Sequence, residues 1–184
     1  MKKTLAIILS LLTLASLIGC NSKTSQPSQP PADTIEGTAE EVLVRLQEET
    51  NKLLPSDKPL PKSFEDQVTA ENCQGTLGIS PEDFAEYVEE AYSASAAIMT
   101  IAHEVALVKC KDAAAAGEVK ALIAAGFDSG KWICVHPKQS AVVDSGSFVL
   151  LAVSEAETVD ALIEAFSGLA GGNVGEADIF YAMP

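Results

Sequence analysis

The stretch EVALVKCKDAAAAGEVKALIAAG, residues 104–126, carries the pattern that decides the fold. Its first part, EVALVKC, is apolar on both faces for most of its length, which predicts a central β-strand. Asp112 can cap the helix that the alanine-rich part predicts over residues 113–125, with Gly126 at its C-terminal end. The sequence therefore predicts a domain in which helices pack against a sheet.

Residues 141–169 contain a second strand and helix in the same order. Residues 141–143 and 147–153 are apolar and flank Asp144-Ser145-Gly146, which predicts a hairpin. The segment Ser-Glu-Ala-Glu at 154–157 has the form of a capping box before a second helix. The apolar stripe of this helix comprises Val159, Leu162, Ile163, Phe166 and Leu169, and we expect the first four of these to lie in the core.

The two helices contain similar heptapeptides, VKALIAA at 119–125 and VDALIEA at 159–165. The likeness predicts two strand–helix units whose helices share a face of the sheet, although alanine-rich composition alone would also make them alike. Residues 179–181 predict a last strand. The predicted fold class is α+β: a mainly antiparallel sheet with two amphipathic helices packed on one face, plus an N-terminal helix.

The N-terminal part of the domain has a weaker pattern. A capping box at Thr38 begins a helix over residues 39–53 that stops before Pro55. Residues 64–77 are polar and weakly patterned, and we expect a loop there. Ser80 and the proline that follows it begin another helix, but the pattern does not decide between helix and strand for residues 84–97.

Residues 131–135 predict a strand that ends at Pro137. Alternate residues of a strand point the same way, so Trp132, Cys134 and His136 would share one face. This face is the candidate surface site, because it gathers the only tryptophan with a thiol and an imidazole. The alternative is that Trp132 and Cys134 belong to the core while His136 only ends the strand.

Glu104 is the fourth candidate, either as a general acid or base at the strand mouth or as a solvated charge. A metal on Cys134 and His136 would need further ligands from His103 or Cys73, without any spacing rule in support. No phosphate-binding loop or nucleophile elbow occurs in the sequence. We therefore predict no cofactor, no metal and no assigned catalytic residue.

Three cysteines follow Cys20, so at most one internal disulfide can form among Cys73, Cys110 and Cys134. Buried thiols are the favoured interpretation, because two of them fall in predicted strands.

The N-terminus has the pattern of an export signal. Lys2 and Lys3 precede an uncharged apolar run, residues 4–18, which is too short for a spanning helix. The run ends in Leu-Ile-Gly-Cys at 17–20, which resembles the lipobox of bacterial lipoprotein signal peptides. The resemblance implies cleavage before Cys20, lipidation of Cys20, and a place on the extracytoplasmic face of the cell membrane. An unlipidated signal peptide or a retained anchor are the alternatives.

The chain then divides into a signal peptide (1–19), a lipidated cysteine with a disordered linker (20–36) and one domain (37–184). The linker is rich in Ser, Gln and Pro and contains almost nothing apolar. The chain has 12 Lys and Arg against 26 Asp and Glu, a formal charge of −14. That balance argues against nucleic acid and against membrane docking through a basic patch.

Residues 78–184 also resemble a domain of unknown function carried by small lipoproteins of Gram-positive anaerobes. The likeness depends on Gly-Ile-Ser-Pro-Glu-Asp at 78–83, Gly-Lys-Trp-Ile-Cys-Val-His-Pro at 130–137 and Ser-Phe-Val-Leu-Leu at 147–151. It implies a tethered extracytoplasmic domain and assigns no active site. We therefore expect a non-enzymatic module that binds an unknown protein or small molecule. The alternative is a small envelope enzyme that uses Glu104 or the face of Cys134 and His136.

Overall fold

The computed structural model describes residues 35–182, which form one antiparallel sheet with helices on both of its faces. The predicted signal peptide, Cys20 and residues 21–34 of the predicted linker lie outside the described residues. The elements in chain order are α1 (Ala39–Leu53), β1 (Ser63–Val68), α2 (Cys73–Leu77), α3 (Pro81–Tyr87), β2 (Val88–Ala96), β3 (Glu104–Cys110), α4 (Ala113–Gly126), β4 (Gln139–Ser145), β5 (Phe148–Ser154), α5 (Ala156–Leu169) and β6 (Asp178–Ala182).

The six strands lie in the order β1-β2-β3-β5-β4-β6, and every neighbouring pair is antiparallel. The α+β class and the antiparallel sheet are thus confirmed. The strand predicted from residue 104 and the hairpin around residues 144–146 are present, as is the last strand. Gly146, with φ of 56°, lies in the turn between β4 and β5, where a left-handed backbone favours glycine.

Both faces of the sheet are covered, since β3, β4 and β5 are buried at nearly every position, and β3 and β5 are apolar at most of theirs. Successive residues of β3 alternate between two cores: Ala106 and Val108 face α4, whereas Val105 and Leu107 face α1 and α5. The prediction that α4 and α5 share a face is therefore wrong. Two helices do pack on one face, but they are α1 and α5, because strands that are apolar on both sides need a cover on each.

Helix starts agree with the sequence in part. The capping box at Thr38 is present, with the Thr38 hydroxyl accepting from the Glu41 N–H and the Glu41 carboxylate from the Thr38 N–H. The second predicted capping box is absent, because Ser154 is the last residue of β5. Glu155 takes the cap position of α5 and makes no side-chain capping bond.

The weakly patterned stretch contains two elements that the sequence does not predict. The edge strand β1 and the short helix α2 occupy most of residues 63–77. Most of β1 is exposed, so it has no apolar alternation to reveal it. Residues 84–97, for which the pattern does not decide between helix and strand, contain both. The helix α3 ends at Tyr87, and the strand β2 begins at Val88.

Gly126 and Gly78 bring two backbones into contact. A Cβ on Gly126 would lie 2.2 Å from the Gly78 carbonyl oxygen, and a Cβ on Gly78 would lie 2.3 Å from the Gly126 backbone. Glycine at both positions therefore lets the end of α4 pack directly against the loop before α3.

The strand predicted at residues 131–135 is absent, since residues 131–138 form an irregular loop. Each of β3, β4 and β5 already has a strand on both sides, so no interior position of the sheet is open. The Lys131 side chain points to the α4 face of the sheet and pairs there with Glu104. That contact holds the segment over the sheet rather than within it.

Candidate functional site

The sheet has two chemically different ends. The chain enters the fold near the start of β2, where the N–H of Ala39 donates to the Glu90 carboxylate at 2.7 Å. We call this the tether end. Three loops lie at the other end: residues 54–62 before β1, 97–103 between β2 and β3, and 127–138 before β4. We call these three loops the loop end, and all four candidates Trp132, Cys134, His136 and Glu104 lie in it or beside it.

A buried ion pair joins the loop end to the sheet. The Glu104 side chain is 3% exposed and pairs with the Lys131 ammonium. The same ammonium donates to the Gly75 carbonyl at 2.9 Å and lies 4.8 Å and 5.0 Å from the ring centroids of Phe127 and Trp132. Lys131 thus connects β3, α2 and its own loop through one charged group.

Burial raises the pKa of the Glu104 carboxyl, while the charge and hydrogen bond of Lys131 lower it. Desolvation disfavours the carboxylate, and the nearby ammonium compensates for only part of that effect. A carboxylate enclosed in this way holds the loop in place, but it has no open approach for a substrate.

The other three candidates do not form one face. Trp132 is half-buried against Phe127, with the two ring centroids 6.5 Å apart, whereas Cys134 and His136 are exposed. The expectation that strand alternation aligns these residues is therefore wrong, because the segment is not a strand. Within residues 35–182, no group of three or more His, Cys, Asp or Glu side chains is placed to hold a metal ion.

His136 lines a cavity of about 250 Å³ between two loops of the loop end, together with Thr100 and Val135. Ser154 is also part of its wall, and its hydroxyl lies 3.0 Å from Nδ1 of the buried His103. Burial lowers the pKa of His103 to about 4, so this imidazole is neutral at pH 7.

A larger cleft of about 700 Å³ opens between residues 54–61 and the first turn of α5. Lys58 and Lys138 line it beside Ile101, and Glu155 and Glu157 lie on its helical side. Neither lysine has a hydrogen bond or ion pair from its side chain among the described residues. The sequence does not predict this cleft; the cluster of prolines at 55, 59 and 61 is its only signal of an irregular wall there.

The three described cysteines are all free thiols. Cys73 and Cys110 are buried, and burial raises the pKa of both, that of Cys110 to about 12. The interpretation of buried thiols is right for these two and wrong for Cys134, which is exposed.

We expect Cys134 to react with a thiol reagent such as Ellman's reagent in the native protein, while Cys73 and Cys110 stay protected until the fold is opened. The reason is that reaction needs an accessible thiolate. The measurement uses a Cys20→Ser background, with Cys134→Ser as the control that removes the native reaction. Fast native labelling in Cys134→Ser would contradict the burial of the other two thiols.

Comparisons with family models, with curated proteins and with solved structures found no match to this chain. The likeness of residues 78–184 to a lipoprotein domain of unknown function therefore stays a prediction. Within residues 35–182, no helix is both long and apolar enough to cross a membrane.

Proposed function

We propose that this protein is a lipid-anchored, extracytoplasmic, non-enzymatic binding module that engages its partner through the loop end. The observation that carries the proposal is that the predicted anchor and the loop end lie at opposite ends of the domain. The described residues begin just before α1, whose N-terminus lies at the tether end, and the loop end lies at the opposite end of the sheet. An anchor at one end leaves the other end free to bind.

The chemistry of the loop end supports binding. The cleft beside Lys58 and Lys138 has a volume within the range of small-molecule pockets, which are about 300–1,000 Å³. Met99 and Ile133 expose 86% and 92% of their surfaces on neighbouring loops. Large apolar side chains exposed on adjoining loops give this end of the domain apolar surface that a partner can cover.

The enzyme alternative has weaker support. The Glu104 carboxylate is paired with the Lys131 ammonium and shielded from solvent. It is therefore poorly placed to act on a substrate as a general acid or base. Cys134 and His136 have no shared strand to align a thiol with an imidazole.

Cys20→Ala tests the anchor. We expect the variant to leave the membrane fraction or to accumulate as the uncleaved precursor, because the lipid acceptor is gone. Phase separation in detergent and the mass of the N-terminal peptide provide the measurement. Cys134→Ala is the matched control, since it removes an exposed thiol and should remain anchored. A Cys20→Ala protein that is still processed and still enters the detergent phase would contradict the proposal.

A further inference from the structure

We propose that the loop end docks on the lipid bilayer that carries the Cys20 anchor, with the side chains of Met99 and Ile133 entering the membrane interface. This inference rests on the proposed function, because it names the bilayer as the partner of the loop end and uses the anchor to hold the domain near it.

The exposed apolar side chains of the domain are concentrated at this end. Met99 and Ile133 are 86% and 92% exposed, and Ile98 and Phe64 are more than half exposed. The loops of Met99 and Ile133 adjoin, because both contribute walls to the cavity beside His136. We call the exposed side chains of Met99 and Ile133 the apolar tips; they lie on adjoining loops at one end of the sheet.

The way these tips project favours a bilayer over a protein partner. Side chains this exposed contact almost nothing of their own domain, so they do not form a packed patch. A specific protein interface involves about 20–30 residues on each side. Insertion into a bilayer needs only a few apolar side chains with polar groups behind them, and each one strengthens membrane binding by roughly tenfold.

The charge of the loop end differs from that of the whole chain. The three loops contain four lysines and two aspartates, a formal charge of +2, whereas the chain as a whole carries −14. Three of these lysines, Lys58, Lys62 and Lys138, have no ion pair among the described residues. Long lysine side chains can extend to lipid phosphates while their stems remain near the apolar tips.

Screening limits the repulsion from the rest of the domain. At about 0.1 M salt the Debye length is about 10 Å. The tether end lies about 20 Å away, since six residues of β2 separate Glu90 from Ala96 at about 3.3 Å each. Glu155 and Glu157 beside the cleft, Glu48 near the C-terminus of α1 and Glu65 near the start of β1 lie closer, and they offset the positive charge of the loops. The apolar side chains therefore carry the docking, which is consistent with the exclusion of a basic patch.

The tether is long enough for this orientation. Residues 21–34 would span on the order of 20 Å as a coil, which matches the distance between the two ends of the sheet. The linker can thus pass alongside the domain while the loop end faces the bilayer. Because the lipid keeps the domain close to the surface, the local concentration is high and weak insertion is sufficient.

Trp132 provides the test, because it is the only tryptophan and precedes Ile133. The lipidated full-length mature protein is reconstituted in phosphatidylcholine vesicles, alone or with added anionic lipid, with and without bromine on the acyl chains. We expect the brominated lipid to quench the Trp132 emission. Met99→Asp and Ile133→Asp should each shift the equilibrium away from the docked state by roughly tenfold and remove most of the quenching.

Val44→Asp is the matched control, because Val44 is an exposed apolar residue of α1 near the tether end, and its quenching should equal that of the wild type. Unchanged melting temperatures would show that the variants fold. Three outcomes would overturn the docking: no quenching in a protein shown to be anchored, quenching that survives both loop substitutions, or quenching that appears only with anionic lipid. A chain that carries no lipid on Cys20 would instead overturn the proposed function.

Discussion

Truncation of Phe166 to alanine should lower the free energy of unfolding by about 3–5 kcal/mol. Phe166 is fully buried on the face of the sheet that α1 and α5 cover, in one cluster with Leu43 of α1 and Leu150 of β5. The substitution removes a large apolar side chain and leaves a cavity that two helices and the sheet cannot close without moving. Urea unfolding of the mature domain, followed by circular dichroism, measures the loss.

Phe64→Ala is the matched control, because Phe64 is 66% exposed on the edge strand β1. We expect its loss to be less than about 1 kcal/mol. A loss below about 1 kcal/mol for Phe166→Ala itself would mean that the helix α5 does not pack on the sheet as described.

Lys131→Ala should lower the free energy of unfolding by about 3 kcal/mol at neutral pH. The substitution leaves the Glu104 carboxylate buried without its partner, and it also removes the bond to Gly75 and the contacts with Phe127 and Trp132. Lys52→Ala is the control, because the ion pair of Lys52 with Glu49 is solvent-exposed. Removal of this pair should leave the midpoint of urea unfolding unchanged.

The loss in Lys131→Ala should depend on pH. Burial already raises the pKa of Glu104, and without Lys131 nothing opposes that effect. Because the folded-state pKa then lies above the unfolded-state value, the folded protein binds the proton first as the pH falls. As the pH falls, the variant therefore regains stability, beginning at the raised folded-state pKa of Glu104 and ending near its ordinary value of 4.5. The difference from the wild type should therefore be largest at neutral pH and smallest near pH 4.5.

The double variant Lys131→Met with Glu104→Leu separates the charge from the packing. Replacing both partners by apolar residues removes the uncompensated charge, so this variant should be more stable than Lys131→Ala at neutral pH. A double variant that is as unstable as the single one, with the same stability at every pH, would indicate that Glu104 is not buried beside Lys131.

Much of the secondary structure could be predicted because its signals are local. Each of three patterns consists of residues close together in the sequence: the capping box at Thr38, the apolar run of β3 and the stripe on α5. Of that stripe, Val159, Leu162 and Phe166 are fully buried. The same local logic failed for β1, whose exposed edge position requires no apolar alternation, and for residues 131–135, whose alternation resembles that of a strand.

The sequence predicted some of the residues of the candidate site but not their arrangement. The sequence drew attention to Glu104 and Trp132, and the structure brings both to the same ammonium of Lys131. Lys131 itself carried no signal, because a lysine after a glycine has no pattern of its own. The prediction groups Cys134 with His136 through a strand that does not form. The cleft beside Lys58 and Lys138 joins segments about 80 residues apart in the chain, so no local pattern indicates it.

The sequence by itself determined the α+β class, the order of most helices and strands, and the strongly acidic charge, since each follows from local periodicity or from composition. Only the tertiary structure decided which face each helix covers, which charge neutralises Glu104, and which loops meet at the loop end. The physical reason is that strands that are apolar on both sides accept a helix on either face. The ion pair of Glu104 with Lys131 joins residues far apart in the chain, so it forms only when the fold buries the carboxylate beside the ammonium.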